Sequence, residues 1–289
     1  MTTRLFIGDV VGDAAADASQ AARLAEGRGF AYGDGVFETM RATGGTIPWW
    51  PAHRTRLQTG ASRLGIALPS MAVLDREVAD IAARHADATI KLILTRGSGG
   101  RGYAPSPDAP PVWTLIASPL PPPPRAGGLV LRWCDTRLAL QPALAGLKHC
   151  NRLEQVLARA EWAAAGIDPA EVDEGLMRDT DGQVVCATAA NLFVWRDGRW
   201  STPPVDRCGI AGVCRGWLID ALGADVAPLS VADVEGAGAL LLCNALRGIL
   251  PVARLGARVW APHPAVAEAR RRLAAGHPAF VPASQEESP

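Results

Sequence analysis

Apolar residues recur along this chain in two rhythms. In TIKLILTRG (89–97) they alternate, with β-branched residues prominent, which predicts a strand. In PAHRTRLQTGASRLGI (51–66) and LDREVADIAARHA (74–86) they return every three or four positions, which predicts amphipathic helices. GLVLRWCDTRL (128–138) reads as a further strand. Between Asn151 and Ala165 the residues Leu153, Val156, Leu157 and Ala160 share one face of a predicted helix. GLMRDTDGQVVCATAANLFVWRDGRW (175–200) reads as successive strands, broken at the Asp-Gly pairs 181–182 and 197–198. Both halves mix helices with antiparallel strands, so the expected class is α+β.

One segment interrupts the pattern. SPLPPPPRAGG (118–128) is rich in proline, which lacks a backbone donor and prefers extended geometry. It predicts a linker between an N-terminal domain, 1–117, and a C-terminal domain, 129–289. No internal repeat is visible, and the polar end ASQEESP reads as a frayed tail.

Composition narrows the function classes. A formal net charge of zero gives no reason to expect a nucleic-acid or membrane surface. The N-terminal MTTRLFIGDVVGDAA has no long apolar core, and no 18-residue apolar run follows, so a soluble cytoplasmic protein is expected. Cys134, Cys150, Cys186, Cys208, Cys214 and Cys243 are dispersed, without metal-ligand spacing to the histidines, and read as reduced thiols.

Lysine is scarce. Of the 29 basic side chains only Lys91 and Lys148 are lysines. Lys91 lies in the predicted strand 89–97 and is expected to face solvent. Lys148 precedes the predicted helix from Asn151. It is either a surface cation, slightly disfavoured at the positive end of a helix dipole, or an amine nucleophile toward an aldehyde, a role arginine cannot fill. RCGIAGVCRGWLIDALG (207–223) places Gly209 and Gly212 in a turn before an amphipathic helix, a common arrangement that also suits phosphate. Arg56 is a phosphate clamp or a solvated helix residue.

Seven stretches in order carry a resemblance: GDGVFETMR (33–41), HRTRL (53–57), TRGSGGRGY (95–103), LAGLKHCNRLEQVLARA (144–160), AANLF (189–193), GIAGVCRG (209–216) and CNALRGILPV (243–252). Together they resemble the fold-type IV pyridoxal-phosphate enzymes, which include branched-chain and D-amino-acid aminotransferases and the aminodeoxychorismate lyases. RGSGGRGY, LAGLKHCNRLEQVL and CNALRGILPV look most like the lyases. The resemblance implies a two-domain fold like that of D-amino-acid aminotransferase, with pyridoxal 5′-phosphate between the domains. It makes Lys148 the residue that binds the cofactor aldehyde and Arg56 the residue gripping its phosphate. The amides of Ile210 and Ala211 form one wall of the phosphate cup, and Asn244 and Ala245 the other, although aminotransferases usually carry threonine at the position of Ala245. Arg101 and Tyr103 fall in the loop that in relatives recognises substrate carboxylate and often reaches a neighbouring subunit, which implies a homodimer. Thr39 is a candidate hydroxyl toward substrate.

The chain departs from the family at one chemically significant position. Five residues before Asn191 the family usually carries a glutamate that keeps the pyridine nitrogen protonated; here the residue is Cys186, and GQVVCATAAN holds no acid. A neutral thiol cannot hold that proton. Transamination depends on a long-lived carbanion, whereas β-elimination discharges the electrons into a leaving group. The expected activity is therefore elimination from aminodeoxychorismate, giving 4-aminobenzoate and pyruvate. An aminotransferase, or a pseudoenzyme that binds the cofactor without turnover, are the alternatives.

Overall fold

The computed structural model describes residues 1–8, 10–12, 26–99, 102–106, 108–168 and 170–281. Arg101 and the polar tail 283–289 lie outside the described residues. The chain divides into two compact units, one of Met1–Pro121 with Leu147–Arg152, the other of Pro122–Gly146 with Leu153–Pro289. No helix or strand occurs between Ser118 and Leu129.

The first unit holds strands β1 (Thr2–Ile7), β2 (Val10–Gly12), β3 (Gly35–Thr43), β4 (Asp87–Thr95) and β5 (Val112–Ser118), and helices α1 (Arg28–Tyr32), α2 (Trp50–Leu64) and α3 (Met71–Ala83). Its sheet runs β2-β1-β5-β4-β3, every pair antiparallel. The alternation read in TIKLILTRG is real: Ile90, Leu92 and Leu94 are fully buried against Leu57, Leu74, Val78 and Ile81 of α2 and α3, and Lys91 is exposed. Helix α2 stops at Leu64, short of the expected Ile66, because Gly65 takes a left-handed φ of 62° and donates back to Ala61. Helix α3 begins three residues earlier than expected and ends at Ala83.

The second unit holds β6 (Leu129–Leu138), β7 (Glu174–Asp179), β8 (Val184–Ala187), β9 (Asn191–Arg196), β10 (Arg199–Thr202), β11 (Asp225–Val226), β12 (Ala239–Asn244), β13 (Gly248–Leu255) and β14 (Arg258–Val259). Its helices are α4 (Leu153–Ala164), α5 (Val213–Leu222), α6 (Val231–Glu235) and α7 (Pro264–Gly276). The sheet order is β11-β10-β9-β12-β13-β6-β7-β8, with β14 on β13. The turn at 197–198 is as read: Asp197 and Gly198 both have positive φ, 49° and 78°, which suits a hairpin of type I′.

Two expectations need correction here. The sheet is not purely antiparallel, since β6 pairs in parallel with both β7 and β13. A parallel β6–β7 pair needs a crossover, and α4 supplies it. The apolar row of α4 does not form its packing face: Leu153, Val156 and Leu157 are 74, 58 and 59% exposed, while Ala158 and Trp162 are buried. Trp162 fits closely because Gly175 on β7 has no side chain; a Cβ there would meet the Trp162 ring at 2.8 Å and the Cys134 sulfur at 2.4 Å.

Candidate active site

In the first unit the segment 147–150 extends the sheet beyond β3. Phe37 N–H donates to the Lys148 carbonyl at 2.9 Å, and Cys150 N–H donates to the Gly35 carbonyl at 2.9 Å. These bonds fix the Lys148 backbone beside Phe37, and the ammonium lies 4.2 Å from the centre of the Phe37 ring. Lys148 is half-buried. Desolvation, then the charge of Arg56, push its pKa down to about 8, against the opposing pull of Glu38. At that pKa about a tenth of the Lys148 amine is uncharged at pH 7, far more than a lysine at the ordinary value offers, which suits an aldehyde nucleophile.

Arg56 has a partner that sequence reading missed. On β3, Val36, Glu38 and Met40 point to the buried face, so Glu38 is 1% exposed. Its Oε1 accepts from Arg56 Nε at 2.8 Å, and its Oε2 accepts from a second Arg56 nitrogen and lies 2.6 Å from His53 Nδ1. Burial alone would raise the Glu38 pKa. The Arg56 charge and the hydrogen bonds from His53 and Arg56 win, and hold it at about 2. His53 itself is held below its ordinary range, by burial first, and serves as a neutral donor to the carboxylate. The sequence signal was the parity of GVFETMR, which puts an acid on an otherwise apolar face.

The GDG segment has a structural task. Asp34 accepts from Arg28 at 2.9 Å and from Arg96 at 2.8 Å, and Arg28 also donates to the carbonyls of Gly102 and Tyr103. Asp34 thus anchors the loop that carries Tyr103, whose side chain is 85% exposed. Thr39 lies half-buried on β3, directly opposite Lys91 on β4.

In the second unit, Gly212 caps α5. Asn191 of the NLF motif donates to the Ile210 carbonyl at 2.9 Å, and a Cβ at Gly212 would meet the Asn191 side-chain oxygen at 2.0 Å. Buried Arg215 locks the same turn, donating to the Thr202 hydroxyl at 3.2 Å and the Pro203 carbonyl at 2.8 Å. The Ala211 amide is engaged, donating to Gly146 at 3.0 Å. The first-turn amides of Val213, Cys214 and Arg215 have no intrahelical acceptor, and they make α5 the anion-receptive end of this turn. Gly212→Ala is expected to break the Asn191 contact and cost about 1–3 kcal/mol, read by urea unfolding. An unchanged midpoint would mean the turn tolerates a side chain.

Asn244 ends β12; its side chain donates to the Ala189 carbonyl at 3.2 Å and accepts from the amides of Leu246 and Arg247. It braces the turn that carries half-buried Ala245. Cys186 on β8 is paired with Met177 and buried in an apolar cluster with Cys134, Ala158 and Trp162. All six cysteines are free thiols. Among the described residues no cluster of metal-ligating side chains occurs, and no helix is long and apolar enough to cross a membrane.

Known proteins resemble this chain in sequence and in fold. The chain is 35% identical over 238 residues to the aminodeoxychorismate lyase of Vibrio harveyi, covering 80% of this chain and 86% of that one. The crystal structure of 4-amino-4-deoxychorismate lyase from Pseudomonas aeruginosa superposes with a TM-score of 0.83 at 39% identity, over 94% of this chain and 98% of that one. The branched-chain amino acid aminotransferase of Escherichia coli shares the fold, with a TM-score of 0.79 at 18% identity over 98% of this chain and 96% of that one. The α+β fold-type IV architecture expected from the motifs is thus the one found. A family model for amino-transferase class IV matches residues 35–255, and the chain belongs to that family.

Proposed function

We propose that this protein is an aminodeoxychorismate lyase, releasing 4-aminobenzoate and pyruvate for folate synthesis with pyridoxal 5′-phosphate as cofactor. The observation that carries the reading is the Lys148 amine, fixed beside Phe37 and brought down to a pKa of about 8. In the first unit Lys148 suits the cofactor aldehyde and Arg56 its phosphate; in the second, the N-terminal amides of α5 suit an anion. At the ring nitrogen the fit departs from the family, because Cys186 offers a thiol where a carboxylate is usual.

When bound, the cofactor withdraws electrons from the substrate carbon that bears the amine. The Lys148 amine would take the proton from that carbon. The enolpyruvyl oxygen then leaves the adjacent carbon with its bonding pair, and the ring becomes aromatic. Arg101 and Tyr103 are the proposed carboxylate contacts, and Thr39 a hydroxyl near the leaving group. A homodimer and a cytoplasmic location belong to the same reading; the exposed row Leu153, Val156 and Leu157 is an apolar surface that a second copy would cover.

Purified protein given aminodeoxychorismate and no 2-oxo acid is expected to form 4-aminobenzoate. A strict need for an amino acceptor would turn the reading to an aminotransferase. Cofactor uptake without product would turn it to a pseudoenzyme.

Cys186 adds a second test. Cys186→Glu is expected to place a proton-holding carboxylate near the ring nitrogen, so pyridoxamine phosphate accumulates as a side product and the ratio of elimination to transamination falls. If the substitution only destabilises the fold, as a buried unpaired acid would, Cys186 is a packing residue and says nothing about mechanism.

A further inference from the structure

The proline-rich segment 118–128 was read as a linker, and its second half has a further use. Gly128 takes a φ of 107°, and a Cβ there would meet the Pro251 carbonyl oxygen at 3.1 Å and the Ala253 amide at 3.2 Å. The end of the segment is therefore laid directly against β13, in a conformation that favours glycine. Between it, the β12–β13 pair and the N-terminal half of α7 lies a cavity of about 380 Å³, all of whose lining belongs to the second unit. Its size suits a small organic ligand.

The lining has two characters. Leu240, Ile249, Val252 and Trp260 supply apolar walls, and the Trp260 N–H is already spent on the Ala237 carbonyl at 2.8 Å. Arg125, His263 and Arg270 supply polar groups, and no acid among the described residues lines the cavity. Arg125 is held by Asp173 and the Ala170 carbonyl. His263 caps α7, its Nδ1 accepting from the Ala265 amide at 3.1 Å. Arg270 stands apart. It opens the run Arg270-Arg271-Arg272, in which the other two both pair with Glu268, whereas no carboxylate among the described residues pairs with Arg270. A helical side chain leans toward the helix N-terminus, which carries Arg270 back over Val266 and Ala267, both on the cavity wall. A solvated arginine needs no partner either, but Arg270 is half-buried at an apolar cavity. The polar groove around Trp195 gives the contrast: its arginines, Arg199 and Arg272, each already hold an acid.

We propose that this cavity is a second small-molecule site, lined by none of the residues assigned above to the reaction, and that it takes an aromatic monocarboxylate. The ring lies against Trp260 and the aliphatic walls, and the carboxylate meets Arg270. A guanidinium grips a carboxylate through two parallel bonds, and apolar surroundings without a competing acid strengthen that contact. An aromatic body suits the indole wall through ring packing. A cationic ligand would be repelled, and a neutral one would leave Arg270 unanswered. The site does not rest on the lyase reading, although 4-aminobenzoate, the product on that reading, belongs to the class.

The test titrates the protein, with pyridoxal phosphate present, against 4-fluorobenzoate and follows the fluorine NMR signal. Wild type is expected to bind saturably, and Arg270→Met to bind about 10-fold more weakly or worse. Arg271→Met, which removes a neighbouring charge outside the cavity, should bind as wild type does. Ala267→Trp, which fills the cavity from an exposed helix position, should abolish binding. 4-Fluorobenzamide, equal in size and uncharged, should bind wild type at least about 10-fold more weakly than the acid. Equal affinity of wild type and Arg270→Met, binding retained by Ala267→Trp, or equal affinity for acid and amide overturns the proposal, as does the lack of saturable binding by wild type.

Discussion

Lys148→Arg is expected to abolish turnover while leaving the fold intact. The substitution keeps charge and length, and the backbone bonds that hold 148 to Phe37 do not depend on the side chain. A guanidinium stays protonated and cannot attack an aldehyde or accept a proton from carbon. Loss of the general base alone is worth about 10²–10⁴ in rate, and loss of the cofactor link adds to it. Unfolding curves should overlay wild type, and product formation should fall below detection. The wild-type amine also predicts a pH profile. With a pKa of about 8, capture of pyridoxal phosphate should rise roughly tenfold per pH unit below that value and level off above it. A lysine at the ordinary 10.5 would offer about 300-fold less free amine at low pH and would still be rising at pH 9. Borohydride should fix the cofactor on the peptide containing Lys148; a label on Lys91 would show that the assignment is wrong.

Glu38→Gln is expected to cost about 3 kcal/mol at neutral pH, the largest stability effect of any single polar substitution foreseen here. The variant leaves the Arg56 charge uncompensated where wild type pairs it with a carboxylate 1% exposed. The pH dependence has a definite sign. Glu38 is held at about 2 in the fold against an ordinary 4.5, so its ionised form stabilises fully above 4.5. That contribution is lost as pH falls from 4.5 toward 2. The difference between wild type and Glu38→Gln in urea unfolding should therefore be constant from pH 5 to 8 and shrink below 4.5. A difference that persists unchanged at pH 2.5 would mean Glu38 acts by shape and not by charge.

How much of this was legible in the sequence depends on the range of each interaction. Strand β4 and the hairpin at Asp197-Gly198 were readable because alternation and turn chemistry are local. Lys148 and the glycine turn were readable because their motifs are contiguous. Glu38 was not, since its partners His53 and Arg56 lie 15 and 18 residues away on a helix, and nothing local pairs them. The first-turn amides of α5 fall at Val213 and Cys214, because Asn191 and Gly212 together decide where the helix starts, and no local stretch shows which of these or the motif's Ile210 and Ala211 would meet a phosphate. The apolar row of α4 was visible, but periodicity reports only that a face is apolar and not what covers it. The parallel pairing of β6 with β7 is a topological fact that no stretch of either strand encodes.

The central claim is that this chain splits aminodeoxychorismate rather than moving its amino group. The most direct measurement follows both products from one reaction, 4-aminobenzoate by fluorescence and pyruvate by reduction with lactate dehydrogenase. Equal amounts of the two, formed over many turnovers by wild type and by none of the Lys148→Arg protein, are predicted. Pyruvate absent, with the cofactor converted to pyridoxamine phosphate after a single turnover, would contradict the account.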